Sequence, residues 1–175
     1  MAITLNGSAG VTTNSGAVYN SIQSDTVKTA TGTSVDFTSI PSWVKRITVM
    51  FSGVSTNGTS IIQVQLGDSG GIENTGYVAG TTSLGTSSLG STSFTTGFGI
   101  RSSNSAAATY QGSLVITNLS SNIWVANGCM YENSNYFSAP FGGSKTLSDV
   151  LTQVRITTVN GTDTFDAGSI NILYE

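Results

Sequence analysis

The stretch WVKRITVMF at residues 43–51 alternates apolar and polar side chains with a period of two. Ile47, Val49 and Phe51 fall on one side of an extended chain, because successive side chains of a strand point to opposite faces of the sheet. The pattern therefore predicts a β-strand that buries one face in a core.

The same alternation recurs in the segments SIIQVQL at residues 60–66, TQVRITT at 152–158 and GSINILYE at 168–175. In the first segment we expect Ile62, Val64 and Leu66 in the core and Gln63 and Gln65 in solvent. Threonine, valine and isoleucine are common along the chain, which favours strands over helices.

Turn signals separate these segments at short intervals. Asn-Gly pairs stand at residues 57–58, 127–128 and 160–161, and a glycine-rich turn stands at residues 68–71. Asn-Gly between alternating runs is the strongest short signal of a β-hairpin. Eight or so short strands with such turns predict an all-β fold, an antiparallel β-sandwich or jelly roll, over residues 26–175.

Residues 1–25 form a different kind of segment. They are rich in glycine, serine and asparagine, and their apolar residues are few and widely spaced. Such a segment buries too little apolar surface to offset the entropy of ordering its backbone. We expect a short extended N-terminal arm, which serves attachment or trimerisation and orders on a partner.

The chain is unusually poor in charge. Only 9% of its residues are charged, its net charge is −3 and it contains no histidine. The six basic residues are scattered, so nucleic-acid binding is not expected. No apolar run is long enough for membrane insertion, and the N-terminus lacks a signal-peptide pattern. The single cysteine, Cys129, is expected to be a buried apolar residue in a protein that folds in a reducing cytoplasm.

The hexapeptide LGDSGG at residues 66–71 matches the sequence around the nucleophile of chymotrypsin-like proteases. A serine needs an adjacent base to become nucleophilic, and the histidine that supplies it in a Ser-His-Asp triad is missing. No lysine stands three residues after Ser69, so this serine has no partner in an S-x-x-K pattern either. We interpret the segment as a turn and assign no catalytic residue to the chain.

Two acidic pairs and one aromatic segment remain as candidate sites. Asp163 and Asp166 form a weak candidate for Ca²⁺, with turn and cap roles as the main alternative, and Asp68 with Glu73 forms a weaker pair. No cofactor is expected. The aromatic segment GCMYENSNYFSAPFGG interleaves rings with amides, which suits contact with a sugar or a protein surface. Its alternative role is to cap the core, and its candidate contact residues are Tyr131, Asn133, Asn135, Tyr136, Phe137 and Phe141.

Three segments resemble virion proteins of tailed bacteriophages: VDFTSIPSWVKRITVMFSGVSTNGTS at residues 35–60, TNLSSNIWVANG at 117–128 and LTQVRITTVNGTDTFDAGSINILYE at 151–175. They are similar to a β-sandwich module at the C-terminal ends of tail-fibre-like proteins. The resemblance extends over about residues 33–175, and the opening AITLNGSAGVT is also similar to the start of such fibres. The long shaft of repeats that is typical of a fibre is almost absent here.

The resemblance implies a non-enzymatic virion component, assembled in the cytoplasm of the host bacterium, and it assigns no site residues. The expected function is that of a short tail-fibre or fibre-like host-attachment protein, usually a homotrimer. Its expected partners are copies of itself, other virion proteins that the arm contacts, and a glycan or protein on the host surface. The first alternative is a capsid decoration or head-fibre protein, and the second is a free carbohydrate-binding module or glycan hydrolase.

Overall fold

The computed structural model of the chain describes residues 3–6, 10–13, 22–85, 89–134 and 136–175. Its strands are β1 Ile3–Asn6, β2 Gly10–Thr13, β3 Gln23–Ser24, β4 Lys28–Thr29, β5 Ser34–Phe37, β6 Arg46–Thr56, β7 Ile62–Asp68, β8 Gly71–Ile72, β9 Tyr77–Leu84, β10 Leu89–Phe94, β11 Phe98–Gly99, β12 Tyr110–Ser120, β13 Ile123–Glu132, β14 Phe137–Thr146, β15 Gln153–Thr158 and β16 Phe165–Tyr174. All described elements are strands, which confirms the all-β prediction. Among the described residues, no helix has the length and apolar character to cross a membrane.

Two antiparallel sheets pack face to face as a β-sandwich, as the alternation predicts. The large sheet has nine strands in the order β10-β9-β14-β13-β12-β6-β16-β3, with β4 also paired to β16. The small sheet has five strands in the order β11-β7-β15-β5, with β8 also paired to β7. This strand order does not establish jelly-roll connectivity, which stays a prediction.

The inner faces of the two sheets supply one continuous core. Val49 and Phe51 on β6 pack there with residues of β12 and β16, and Val64 and Val154 contribute from the small sheet. Each of these side chains is at most 4% exposed. Burial of such side chains stabilises by about 1.5–3 kcal/mol each, so the alternation at residues 43–51 and 152–158 locates the core correctly.

One predicted turn is wrong. Asn127-Gly128 lies in the middle of β13, where it pairs with Val115 and Leu114 of β12. A Cβ on Gly128 would lie 2.8 Å from Cζ of Phe141 and 2.4 Å from the carbonyl oxygen of Ser113. Gly128 is therefore needed for close packing inside the sheet, whereas Asn57-Gly58 and Asn160-Gly161 lie in turns between strands as predicted.

Two burial predictions are also wrong. Gln63 and Gln65 are 2% and 6% exposed, because the chain at Thr96 and Gly97 lies over this part of β7. Cys129 is exposed, because its neighbour Met130 has the inward position and the alternation of β13 turns the thiol outward. In both cases the strand is correct, but the environment of its outward face is not what the sequence indicates.

The predicted arm falls partly within the described residues. β1 and β2 form an antiparallel pair, and residues 14–21 lie outside the described residues. At the end of the predicted arm, β3 pairs with β16, and the Asp25 amide donates to the Ile172 carbonyl at 3.1 Å. The boundary between arm and sandwich at residue 25 stays a prediction.

Gly168 gives a direct test of the β16 irregularity. The register of β16 against β6 shifts on both sides of Ala167, and Gly168 has a φ of 94° with its Cβ position 2.5 Å from the carbonyl atoms of Gly53. We expect Gly168→Ala to destabilise the fold by about 2 kcal/mol or more. Alanine disfavours the positive φ at this position, and its methyl group would collide with the backbone of Gly53. Chemical denaturation measures this.

Gly80→Ala is the matched control, since a Cβ there meets its nearest atom at an ordinary 3.5 Å. That variant should stay within about 0.5 kcal/mol of the wild type. Equal stability of the Gly168→Ala protein and the control would show that the bulge is not constrained by Gly53.

Candidate functional site

The GDSGG segment forms a tight turn, as predicted. β7 and β8 are joined by Ser69 and Gly70, with Asp68 paired to Gly71 across the hairpin. Oδ1 of Asp68 accepts a hydrogen bond from the Gly70 amide at 2.7 Å. The aspartate therefore closes the turn through its own backbone, which is the usual role of this residue in turns.

Asp68 and Glu73 are brought together by a serine that the sequence did not single out. Oγ of Ser148 lies 2.6 Å from Oδ2 of Asp68 and 2.8 Å from Oε1 of Glu73. The Ser148 amide also donates to Glu73 at 2.7 Å, and the largely buried Lys145 forms an ion pair with the same carboxylate. This carboxylate cluster fastens the β7–β8 turn to the connection between β14 and β15.

The chemistry of the carboxylate cluster favours a structural role. The hydrogen bond from Ser148, and next that from the Gly70 amide, hold the pKa of Asp68 below its ordinary value. Burial acts to raise the pKa of Glu73, but the hydrogen bonds from Lys145 and Ser148 outweigh it and lower that pKa as well. A general base works best with a pKa near the operating pH, so neither carboxylate is suited to activate the Ser148 hydroxyl.

Asp163 stabilises a turn through its side chain, which is the main alternative to a Ca²⁺ site. Its Oδ1 accepts from the Asn160 side chain at 2.8 Å, and its Oδ2 accepts from the Ser60 amide at 2.9 Å. The Asn160 bond first, and then the Ser60 bond, lower the pKa of Asp163. Asp166 lies exposed on β16. In the described part of the chain, no three His, Cys, Asp or Glu residues group as metal ligands.

The aromatic segment divides between surface and core. Tyr131 and Tyr136 are 45% and 68% exposed, and Asn133 is exposed beside them at the β13–β14 hairpin. Phe137 is half-buried, and Phe141 is a buried member of the core, in agreement with the core-capping alternative. Asn135 lies outside the described residues. We refer to Tyr131, Asn133 and Tyr136 as the aromatic hairpin.

A buried ion pair supports the aromatic hairpin from below. Nη1 of Arg101 lies 3.0 Å from Oε2 of Glu132, and both side chains are at most 5% exposed. The guanidinium also lies 4.1 Å from the ring centre of Phe137, and Tyr110 accepts from it at 3.4 Å. Charges buried in this way hold their partners firmly because leaving either one unpaired is costly. The hairpin is therefore anchored rather than loosely attached.

The five adjacent strands β9, β14, β13, β12 and β6 present a broad outward face, which we call the outer face. Two of its cross-strand rows are Arg46, Thr117, Val125, Ser144 and Val78, and Thr48, Val115, Asn127, Gly142 and Gly80. A third row contains Met50, Ser113, Cys129 and Pro140. Arg46 is the only charged side chain on these outward positions, and the structure describes all five strands in full.

Sequence reasoning missed the outer face because its existence depends on strand order. Val115 and Asn127 become neighbours only when β12 and β13 pair, and Val78 joins them through β14. The low charged fraction of the chain is the one sequence signal that points to such a surface. The low charged fraction indicates that some part of the surface is uncharged, but it does not show which strands form that surface.

No protein-family model, curated protein or solved structure matches the chain.

The carboxylate cluster predicts how stability depends on pH. Two carboxyls with lowered folded-state pKa values stabilise the fold above their ordinary pKa and lose that contribution as pH falls through the folded-state values. Ser148→Ala should therefore lower the melting temperature most above about pH 5, and the gap to the wild type should narrow in acid. Thermal melts between neutral and acidic pH measure this.

Ser42→Ala is the control, because Ser42 is exposed and distant in sequence from the cluster. It should melt like the wild type at every pH. A Ser148→Ala deficit that stays constant down to acid would mean that the hydroxyl acts through something other than these carboxylates.

Proposed function

We propose that the chain is a non-enzymatic structural protein of a tailed-bacteriophage virion, a short tail-fibre or fibre-like host-attachment protein. In this proposal it assembles as a homotrimer in the host cytoplasm and then joins the particle. The observation that supports it best is the outer face of the large sheet, on which Arg46 is the only charged side chain. The resemblance to fibre modules that the sequence of residues 33–175 suggests is the reason to propose a virion as the setting of that surface.

The outer face has the size of a stable subunit interface. Five strands about 4.8 Å apart and about ten residues long present roughly 800 Å². A standard interface buries about 800 Å² on each partner. Apolar side chains are exposed on this face, among them Val78 at 74% and Val125 at 37%. Exposed apolar side chains on a sheet face that carries almost no charge suit a surface that another subunit covers.

The composition of the outer face also suits contact between identical chains. Burial of a charged group costs free energy unless the group is paired, and hydroxyls and small residues avoid that cost. Arg46, the one charged residue, lies at the end of its strand and forms an ion pair with Glu175 of the same chain. Three copies can therefore turn the outer face toward a common threefold axis without burying an unpaired charge.

In this proposal the N-terminal arm, which attaches to the particle, and the aromatic hairpin, which contacts the host, lie at opposite ends of the large sheet. Gln23, the second residue of the described range 22–85, pairs with Tyr174 at the level of Ile47 and Ala126. The β13–β14 hairpin begins beyond Glu132, six residues farther along β13, or about 20 Å at 3.3 Å per residue. An arm bound to the particle would thus present the aromatic hairpin to a host glycan or protein.

A charge placed on the outer face tests the assembly. Val115→Glu puts a carboxylate on a central strand, where burial between subunits would leave it unpaired. We expect the wild type to sediment as a trimer and this variant to sediment as a monomer, with a folded circular-dichroism spectrum. Sedimentation velocity at micromolar concentration measures both.

Thr38→Glu, an exposed position just after β5 of the small sheet, is the matched control and should remain trimeric. A wild-type protein that sediments as an 18.0 kDa species would contradict the proposal. So would a Val115→Glu protein that keeps the wild-type oligomeric state.

Deletion of residues 1–21 tests the virion role. β3 and the rest of the sandwich are retained, so the deleted protein should fold and melt cooperatively. We expect it to be lost from purified particles because the arm supplies the attachment. Particle incorporation is measured by immunoblot, and a particle map that places the full-length protein on tail or head separates a fibre from a decoration protein. Normal incorporation without the arm would contradict the attachment role.

A further inference from the structure

A polar cleft lies on the outward face of the small sheet, on the other side of the sandwich from the outer face. Its volume is about 340 Å³, and ligand sites begin at about 300 Å³. Gln63 and Gln65 of β7 stand opposite Thr157 and Arg155 of β15 across the sheet. These two rows of polar side chains form the floor of the cleft.

The floor is held in place by hydrogen bonds and one ion pair. Arg155 donates from Nε and Nη2 to the two oxygens of Asp36 at 2.7 and 2.8 Å. Thr157 donates to the Thr33 carbonyl at 2.8 Å. Thr96 donates to Oε1 of Gln63 at 2.9 Å. A site whose polar groups are fixed in advance loses less entropy when a ligand binds.

Gln65 is the side chain that points to a ligand. It is 6% exposed, and its Nε2 donates to the Thr96 carbonyl at 2.9 Å. Within the described residues, Oε1 of Gln65 accepts no hydrogen bond, and it is open to solvent in the cleft rather than sealed in the core. The neighbouring Nη1 of Arg155 and the side-chain amide of Asn74 likewise make no hydrogen bond to any described residue. An acceptor on a side chain that is already held in place, and that no protein donor uses, can accept a hydrogen bond from a ligand, so this part of the cleft is suited to a hydroxyl-bearing ligand.

We infer that the cleft binds a neutral saccharide. Its free groups include an acceptor, guanidinium donors and an amide that can do both, which matches sugar hydroxyls that donate and accept. The Asp36 carboxylate already neutralises Arg155, so the cleft carries no excess charge to attract an anion. Ile72 and Val159 supply apolar walls for the C–H face of a sugar ring.

This inference goes beyond the proposed function and does not rest on it, because binding of a sugar is measured on the purified chain without a particle. It also assigns a site different from the aromatic hairpin. The hairpin belongs to β13 and β14 of the large sheet, whereas the cleft belongs to β7 and β15 of the small sheet.

The test uses the full chain and a panel of glucose, galactose, mannose, N-acetylglucosamine and their common disaccharides. Saturation-transfer NMR detects the sugar that binds, and calorimetry gives its affinity. Asn74→Ala removes an exposed amide at the rim, and Gln65→Met removes the Oε1 acceptor while keeping a side chain of similar length. We expect each change to weaken binding about tenfold or more. Asn133→Ala in the aromatic hairpin is the matched control and should bind like the wild type.

Thermal melts show whether Gln65→Met is folded, and Asn74→Ala carries the test if it is not. Absence of binding by every sugar in the panel would overturn the inference. Binding that survives Asn74→Ala and Gln65→Met but is lost in Asn133→Ala would also overturn it, since the aromatic hairpin would then be the site.

Discussion

The pairing of β6 with both β12 and β16 is the interaction on which the large sheet depends. β6 lies between two strands that come from much later in the chain, and its inner residues Val49 and Phe51 occupy the centre of the core. The sheet therefore closes only after distant segments have met, which is the slow step expected of folds with many non-local contacts. The outer face is a consequence of this closure, because it does not exist before β6, β12 and the strands beyond them are in register.

The sequence predicts the strands of this core well, since burial on one face imposes a period of two that a single segment displays. Val154 and Ile156 are an example, and both are completely buried. Turn chemistry is less reliable. Asn160-Gly161 lies in a turn, whereas Asn127-Gly128 is inside β13, and the difference is the ring of Phe141 that occupies the space beside Gly128. A glycine required by packing cannot be distinguished locally from a glycine required by backbone geometry.

The candidate sites show the same limit. Asp68 and Glu73 could be paired from the sequence because they flank one turn, but Ser148, which joins them, comes from a remote connection. The expectation that Gln65 is exposed fails for a related reason. Alternation places its side chain outward correctly, but the chain at Thr96 then lies over it. Local pattern fixes the direction of a side chain, and tertiary structure decides what that side chain meets.

The two outward faces of the sandwich are built from similar uncharged residue types but differ in shape and in the kind of contact they suit. On the outer face, hydroxyl-bearing residues and glycines lie among apolar side chains. Removal of water from such a surface on contact with another subunit costs little desolvation free energy. On the small sheet, longer amides and the Arg155–Asp36 pair stand in a concave cleft where their hydrogen-bonding groups converge. Because few charges are present, neither face attracts ions or nucleic acid indiscriminately. Selectivity must then come from shape and hydrogen bonding, which are the means by which a neutral glycan or an identical subunit is recognised.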